Sequence, residues 1–214
     1  MMELITKDDW QQAEQRMEAW WNGAVLDRAV VQVAAPRAGV SQEAYRRLFS
    51  PVDVPPEGID RWYTDPTQVV PRLERQVADT YWGGEAFPVV FPVSISLVAS
   101  PAAYLGCPYR IHPESHTAWA DPIIEDWETR PTFAFDPHNE WWRISRELLA
   151  AAAQRAPGRY YVGVPDLNGP GELVARLRDS QRLAVDLLEN PDAVKAALAE
   201  VNAAWLRYWE ASTG

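Results

Sequence analysis

GRYYVGVPDLNGPGEL, residues 158–173, reads as strand, loop and helix in immediate succession. Tyr160 to Val164 is short, apolar and rich in aromatic and β-branched side chains, the composition of a strand covered on both faces. Pro165, Asp166, Leu167, Asn168, Gly169, Pro170 and Gly171 follow. Gly, Pro, Asn and Asp set turn conformations at little cost. A helix then opens through Leu173, Val174 and Leu177. Ligands in α/β proteins sit in such loops, at the carboxyl end of a strand and the amino end of a helix. Free backbone N–H groups there favour an anion. Asp166 is therefore the candidate catalytic group, with Asn168, Gly169 and Gly171 as candidate substrate contacts. The plain alternative is a strand-to-helix turn in which Asp166 and Asn168 only cap the helix.

Working outward, the same alternation recurs. Ala29 to Pro36 is an apolar run expected to form a buried strand, with Arg37 just past its end. An Arg in that place can clamp a carboxylate bidentately, or it is a solvated loop residue. Phe87 to Val93 is a further strand whose prolines belong at its ends or at a bulge, and Ser94 and Ser96 follow it. A helix capped by Thr6 and running to Trp21 is expected, with Trp20 and Trp21 as a packing face. Asp65-Pro66, Asp136-Pro137 and Asn190-Pro191 each open a helix with a capping side chain and a first-turn proline. Val69, Val70, Leu73, Val77 and Tyr81 share one helical face, and Gly83-Gly84 is expected to stop that helix. Tyr109 to His112 and Thr117 to Ala120 flank a turn and predict a hairpin. The order of strands and helices points to an α/β protein with parallel strands.

Composition narrows the functions. The chain has 214 residues, 47% of them hydrophobic and 23% charged, enough for one large domain or two small ones. A net charge of −10, from 20 basic and 30 acidic residues, argues against a general nucleic-acid binder. No apolar run reaches the roughly 18 residues of a membrane span; Phe87 to Ala99 is broken by Pro88 and Pro92. No secretory signal is visible at the amino terminus, so the cytoplasm is the expected location. Cys107, the single cysteine, can form no intrachain disulfide and offers no paired metal spacing. His112 and His116 stand four apart, but Pro113 opposes a helix between them, so loop histidines are expected rather than a zinc pair. Glu125 and Asp126, with the tryptophans, admit a sugar-active site, although adjacent loop carboxylates are usually solvated.

The run from Gly158 to Val194, ending in LLENPDAV, resembles the uroporphyrinogen decarboxylase-like superfamily. That superfamily includes the cobamide-dependent methyltransferases. YWGGEAFPVVFPVSISLVASPAAYLGCPYR, from Tyr81, and FDPHNEWWR, from Phe135, carry the likeness further. The resemblance implies a partial (β/α)8 TIM barrel. Residues 1–214 would be one incomplete barrel domain, with an amino-terminal helix over 1–25 and the amino-terminal half of the barrel over 26–214. About three parallel barrel strands and their covering helices fall in this half. Such barrels take about 250 residues, so exposed half-barrel edges would favour a homodimer. The implied ligand is a tetrapyrrole or a corrinoid, and the implied activity decarboxylation or corrinoid-dependent methyl transfer. The alternative is a non-catalytic domain that binds a corrinoid or a partner protein. Two departures stand out. Where the decarboxylases carry an Arg-rich MRQAGR element, this chain reads VAAPRAG, with Arg37 alone. Where they place a catalytic Asp, it reads Val93-Ser94-Ile95-Ser96. No cofactor is expected in this chain. In the methyltransferases a His-x-Cys element and a later Cys hold zinc in the other half of the barrel.

Overall fold

The computed structural model describes residues 4–93, 101–112 and 117–213. The chain begins with helix α1 (Trp10–Trp21), which buries Trp10 and Ala13 and ends at Asn22. Leu4, Trp10 and Ala13 form a small core against Met17, Phe87 and Tyr161. Thr6 does not cap α1; Asp9 holds the capping position. The Thr6 hydroxyl instead donates to the carbonyl of Arg159 at 2.6 Å. Nor is Trp20-Trp21 a packing face: the two rings are 59% and 82% exposed.

Strand β1 (Gln32–Pro36) is the main correction to the expected barrel. It pairs antiparallel with β2 (Thr80–Gly84), with Ala34 opposite Trp82. It is not buried either, since Val31 and Val33 are 50% and 46% exposed. The cause lies in Glu85, whose side chain is fully enclosed. Its carboxylate accepts from Arg28 Nη1 at 2.8 Å, Arg28 Nη2 at 2.6 Å and the Val31 amide at 2.9 Å. That anchor folds the entry to β1 back onto β2. Gly84, at φ +60°, permits the approach; a Cβ there would stand 2.1 Å from the Val31 carbonyl oxygen.

Between β1 and β2 run α2 (Gln42–Arg47), capped by Ser41, then a 3₁₀ turn at Pro56–Gly58 and α3 (Ile59–Thr64). Next comes α4 (Pro66–Asp79), capped by Asp65 with Pro66 in its first turn, as the sequence predicts. Val69, Val70, Leu73 and Val77 are its buried face. Tyr81 leaves that face because the helix ends at Asp79 rather than at the glycines; it is 55% exposed on β2.

Strand β3 (Val89–Val90) follows, and the short α5 (Pro101–Tyr104) precedes the predicted hairpin. Its strands β4 (Tyr109–His112) and β5 (Thr117–Ala120) pair antiparallel, Tyr109 opposite Ala120. Helix α6 (Glu140–Arg155) starts later than Asp136-Pro137 suggests, because Asn139 takes the cap and accepts from the Trp142 amide at 3.0 Å. The Asp136 side chain accepts from the His138 amide instead. Strand β6 (Tyr161–Val162) leads to α7 (Pro170–Arg178), α8 (Ser180–Glu189) and the long α9 (Pro191–Thr213).

β6 pairs with β3, and the pair is parallel: Val89 faces Tyr161 and Val90 faces Val162. The Gly163 amide extends the ladder, donating to the Val90 carbonyl at 2.8 Å. Parallel pairing needs a long crossover, here filled by the hairpin and α6. Ile59, Tyr63, Val69, Leu73, Val77, Leu148 and Tyr160 pack around the pair with Val90 and Val93. The architecture is mixed helix and strand, with two parallel strands among the described residues where about three were expected.

Candidate functional site

Because β3 and β6 run the same way, the chain leaves both at one end. Phe91, Pro92 and Val93 emerge from β3 there, and residues 163–169 from β6. Gly163 allows the two exits to touch: a Cβ on it would meet the Phe91 ring at 2.3 Å. The loop then buries Pro165 and Leu167 and turns Asp166 outward. Leu167 is anchored among Tyr104, Trp142, Ala204 and Tyr208. From α9, the Trp205 indole N–H is shared between the carbonyls of Leu167 at 3.2 Å and Asn168 at 2.8 Å. These contacts tether the loop from behind.

The polar residues take definite roles. One Asp166 oxygen accepts from the Asn168 amide at 2.9 Å, closing an Asx turn. That turn sets Asn168 at φ 51°, a left-handed conformation that Asn tolerates. Gly169 occupies the capping position of α7 with no side-chain cap, and Pro170 takes the first turn. The amides of Gly171 and Glu172 are thus left without a capping oxygen. A Cβ on Gly169 or Gly171 would meet nothing within 4 Å, so packing does not require either glycine. Asp166, Asn168, Gly169 and Gly171 thus share one turn, with an open helix amino terminus and an exposed carboxylate.

Arg37 sits elsewhere, at the end of the antiparallel pair. Its Nε donates to the Thr80 carbonyl at 3.1 Å, and its amide to the Asp79 carbonyl at 2.8 Å. Among the described residues no hydrogen bond or ion pair joins it to the 165–171 loop. His112 ends β4; Ser94, Ser96 and His116 lie outside the described residues. Asp126 forms an Asx turn with the Glu128 amide, the Glu125 backbone carbonyl accepts from Arg178, and both residues are exposed. Cys107 is buried, and burial pushes its thiol up to about 12. Among the described residues no group of three or more His, Cys, Asp or Glu is placed to hold a metal ion. Among the described residues no helix is long and apolar enough to cross a membrane.

One polar residue escaped the sequence reading. Arg72, on α4, lays its guanidinium over the Trp62 ring at 3.4 Å from the centroid. Its Nη1 donates to the Trp62 carbonyl at 2.9 Å, while its Nε is enclosed without a partner. Burial lowers its pKa to about 10, and burial raises that of the neighbouring Tyr63 to about 12. The available signal was its place beside Leu73 on the flank of a strongly amphipathic helix.

The fold as a whole has a solved counterpart. The chain is similar to a methyltransferase from Methanosarcina mazei. The two share a TM-score of 0.60 at 14% identity, over 94% of this chain. The likeness is one of fold. This chain spans 56% of the length of that methyltransferase. No protein-family profile matches the sequence, and no curated protein matches it.

Proposed function

We propose that this chain supplies part of a barrel-type methyltransferase site, with a corrinoid as its ligand. A single observation carries the reading: the loop after β6 and the bare amino end of α7 open at the exit of a parallel strand pair, in a fold similar to a methyltransferase. In this reading the amides of Gly171 and Glu172 receive an anionic or amide oxygen of the ligand. Gly169 and Gly171 let it approach the backbone closely. The free oxygen of Asp166 accepts a proton or hydrogen bond from the ligand, and Asn168 presents its amide beside it. Arg37 is the weakest member of the set, since it is bonded to Thr80; its remaining N–H groups would meet a peripheral carboxylate. Cys107, protonated and buried, is not the thiolate that accepts the methyl group. A free thiol would then be the second substrate, and a bound metal would supply the chemistry that lowers its pKa.

The test has two arms. Titration of the purified protein with hydroxocobalamin, followed by absorbance, should saturate, and Asp166→Ala or Gly171→Val should weaken it at least fivefold. Methylcobalamin with a thiol should lose its methyl group faster in the presence of the protein. Decarboxylation of uroporphyrinogen with no cobalamin binding would overturn the methyltransferase reading and favour the decarboxylase branch. Neither binding nor turnover would overturn both.

A second reading, a non-catalytic partner-binding domain, has one observation of its own. Trp20 and Trp21 stand exposed, and Trp21 borders a groove of about 1140 Å³ that also takes in Trp10, Met17, Phe87 and Tyr161. Exposed apolar surface of this kind marks protein contacts. Light scattering separates the cases: a dimer that Trp21→Ser dissolves supports self-association through this face, and a monomer unaffected by the change rejects it.

A further inference from the structure

Five arginines among the described residues are partly sheltered rather than exposed: Arg16, Arg72, Arg130, Arg159 and Arg178. Four of them sit on carboxylates. Arg16 meets Asp27 at 2.7 Å, Arg130 meets Glu200 at 2.8 Å, Arg159 meets Glu74 at 2.7 Å and Arg178 meets Asp186 at 2.6 Å. Arg72 meets none. Among the described residues its only hydrogen bond runs from Nη1 to the Trp62 carbonyl. Its Nε is enclosed with no acceptor, and its Nη2 donates to no group among the described residues. Stacking on Trp62 offsets part of the cost of drawing this cation out of water, but an ion without a counter-charge remains unfavourable. A chain that pairs every other sheltered guanidinium leaves this one open.

The position matters as much as the missing partner. Arg72 lies in the second turn of α4, against α3. Tyr63, next to Trp62, shares its core with Val93, the residue leading out of β3. Arg72 thus sits at the corner between the two helices, against Trp62 and beside this core.

We propose that Arg72 anchors an anion site at the α3–α4 corner, one that binds the carboxylate or phosphate group of a small organic anion. Because Nε is enclosed, the edge available to a ligand is that of Nη1 and Nη2, which suits the two oxygens of either group in a way a halide cannot match. Trp62 fixes the plane of the fork from one side. The site stands on Arg72 and its neighbours alone and does not depend on the reading of the 165–171 loop.

The experiment uses the whole chain. Tryptophan emission is followed during titration with sodium citrate and, separately, inorganic phosphate, each against sodium chloride at matched ionic strength. Wild-type protein should show a saturable change with at least one oxyanion and none with chloride. Response to citrate alone identifies a carboxylate site, and response to phosphate alone a phosphate site. Arg72→Met should weaken binding at least tenfold, and Arg72→Lys less. Melting gives a second readout: without ligand Arg72→Met should melt no lower than wild type, and the oxyanion should raise the melting temperature of wild type but not of Arg72→Met. Absence of saturation with either oxyanion overturns the proposal. So does equal binding by Arg72→Met, or a melting temperature for Arg72→Met and Arg72→Lys well below wild type, which would make the guanidinium structural.

Discussion

Asp186 ties three segments behind the candidate loop, and its loss should be read in the pH dependence of stability. Arg178, at the end of α7, donates through Nε to Asp186 on α8 at 2.6 Å, and Asn190 donates to the same carboxylate at 2.8 Å. The other end of Arg178 donates to the carbonyls of Ile124 at 2.9 Å and Glu125 at 2.6 Å. Asp186 is 3% exposed, so solvent screens this pair little. The hydrogen bond from Arg178 is the main cause that lowers its pKa from 3.8 to about 2. A lowered carboxyl pKa means stability present above the unfolded value and lost as pH falls through the folded one. At ~1.36 kcal/mol per unit, the shift contributes about 2 kcal/mol at neutral pH. Asp186→Asn should therefore cost about 2 kcal/mol in urea unfolding at pH 7. The gap between variant and wild type should hold down to about pH 4 and close towards pH 2. Equal stability at pH 7, or a gap that persists unchanged at pH 2, would refute the linkage.

Other substitutions probe separate parts of the fold. Leu148→Ala empties a fully buried position beside β3 and β6 and should cost about 3 kcal/mol in denaturant unfolding. Asn139→Ala removes the α6 cap and the bond from its side chain to the Ala103 carbonyl, an expected loss of about 1–2 kcal/mol in the same assay. Gly84→Ala should fail to fold well, since its Cβ would strike the Val31 carbonyl. Gly171→Ala meets open space and should raise stability by up to about 1 kcal/mol, measured by thermal melting.

Local chemistry was the legible part of this sequence. Asp65-Pro66 and Asn190-Pro191 announce helices because a capping oxygen and a fixed φ act within a few residues. The 109–120 hairpin was readable because two runs flank a turn. The strand at Tyr160 and its parallel partner near Val89 followed from their apolar, unalternating composition. What escaped depends on distant partners. An apolar run such as Ala29 to Pro36 does not say whether it will be covered, and Glu85, far along the chain, turns it into an exposed antiparallel strand. Trp20 and Trp21 follow helical spacing, yet nothing in the described structure covers them. The candidate loop was legible as a turn, and its tether to Trp205 was not, because α9 lies well beyond it in sequence. Arg72 was hidden for the same reason: only the fold shows that no carboxylate reaches it.

The account rests on β6 running parallel to β3 with the polar loop at their shared exit. Nuclear Overhauser contacts between the two strands test this directly. The account predicts a protected Gly163 amide close to the Val90 carbonyl side of β3, with contacts joining residues 89–91 to 161–163 in increasing order. Close Hα–Hα pairs between the strands with reversed order, as in an antiparallel ladder, would contradict it.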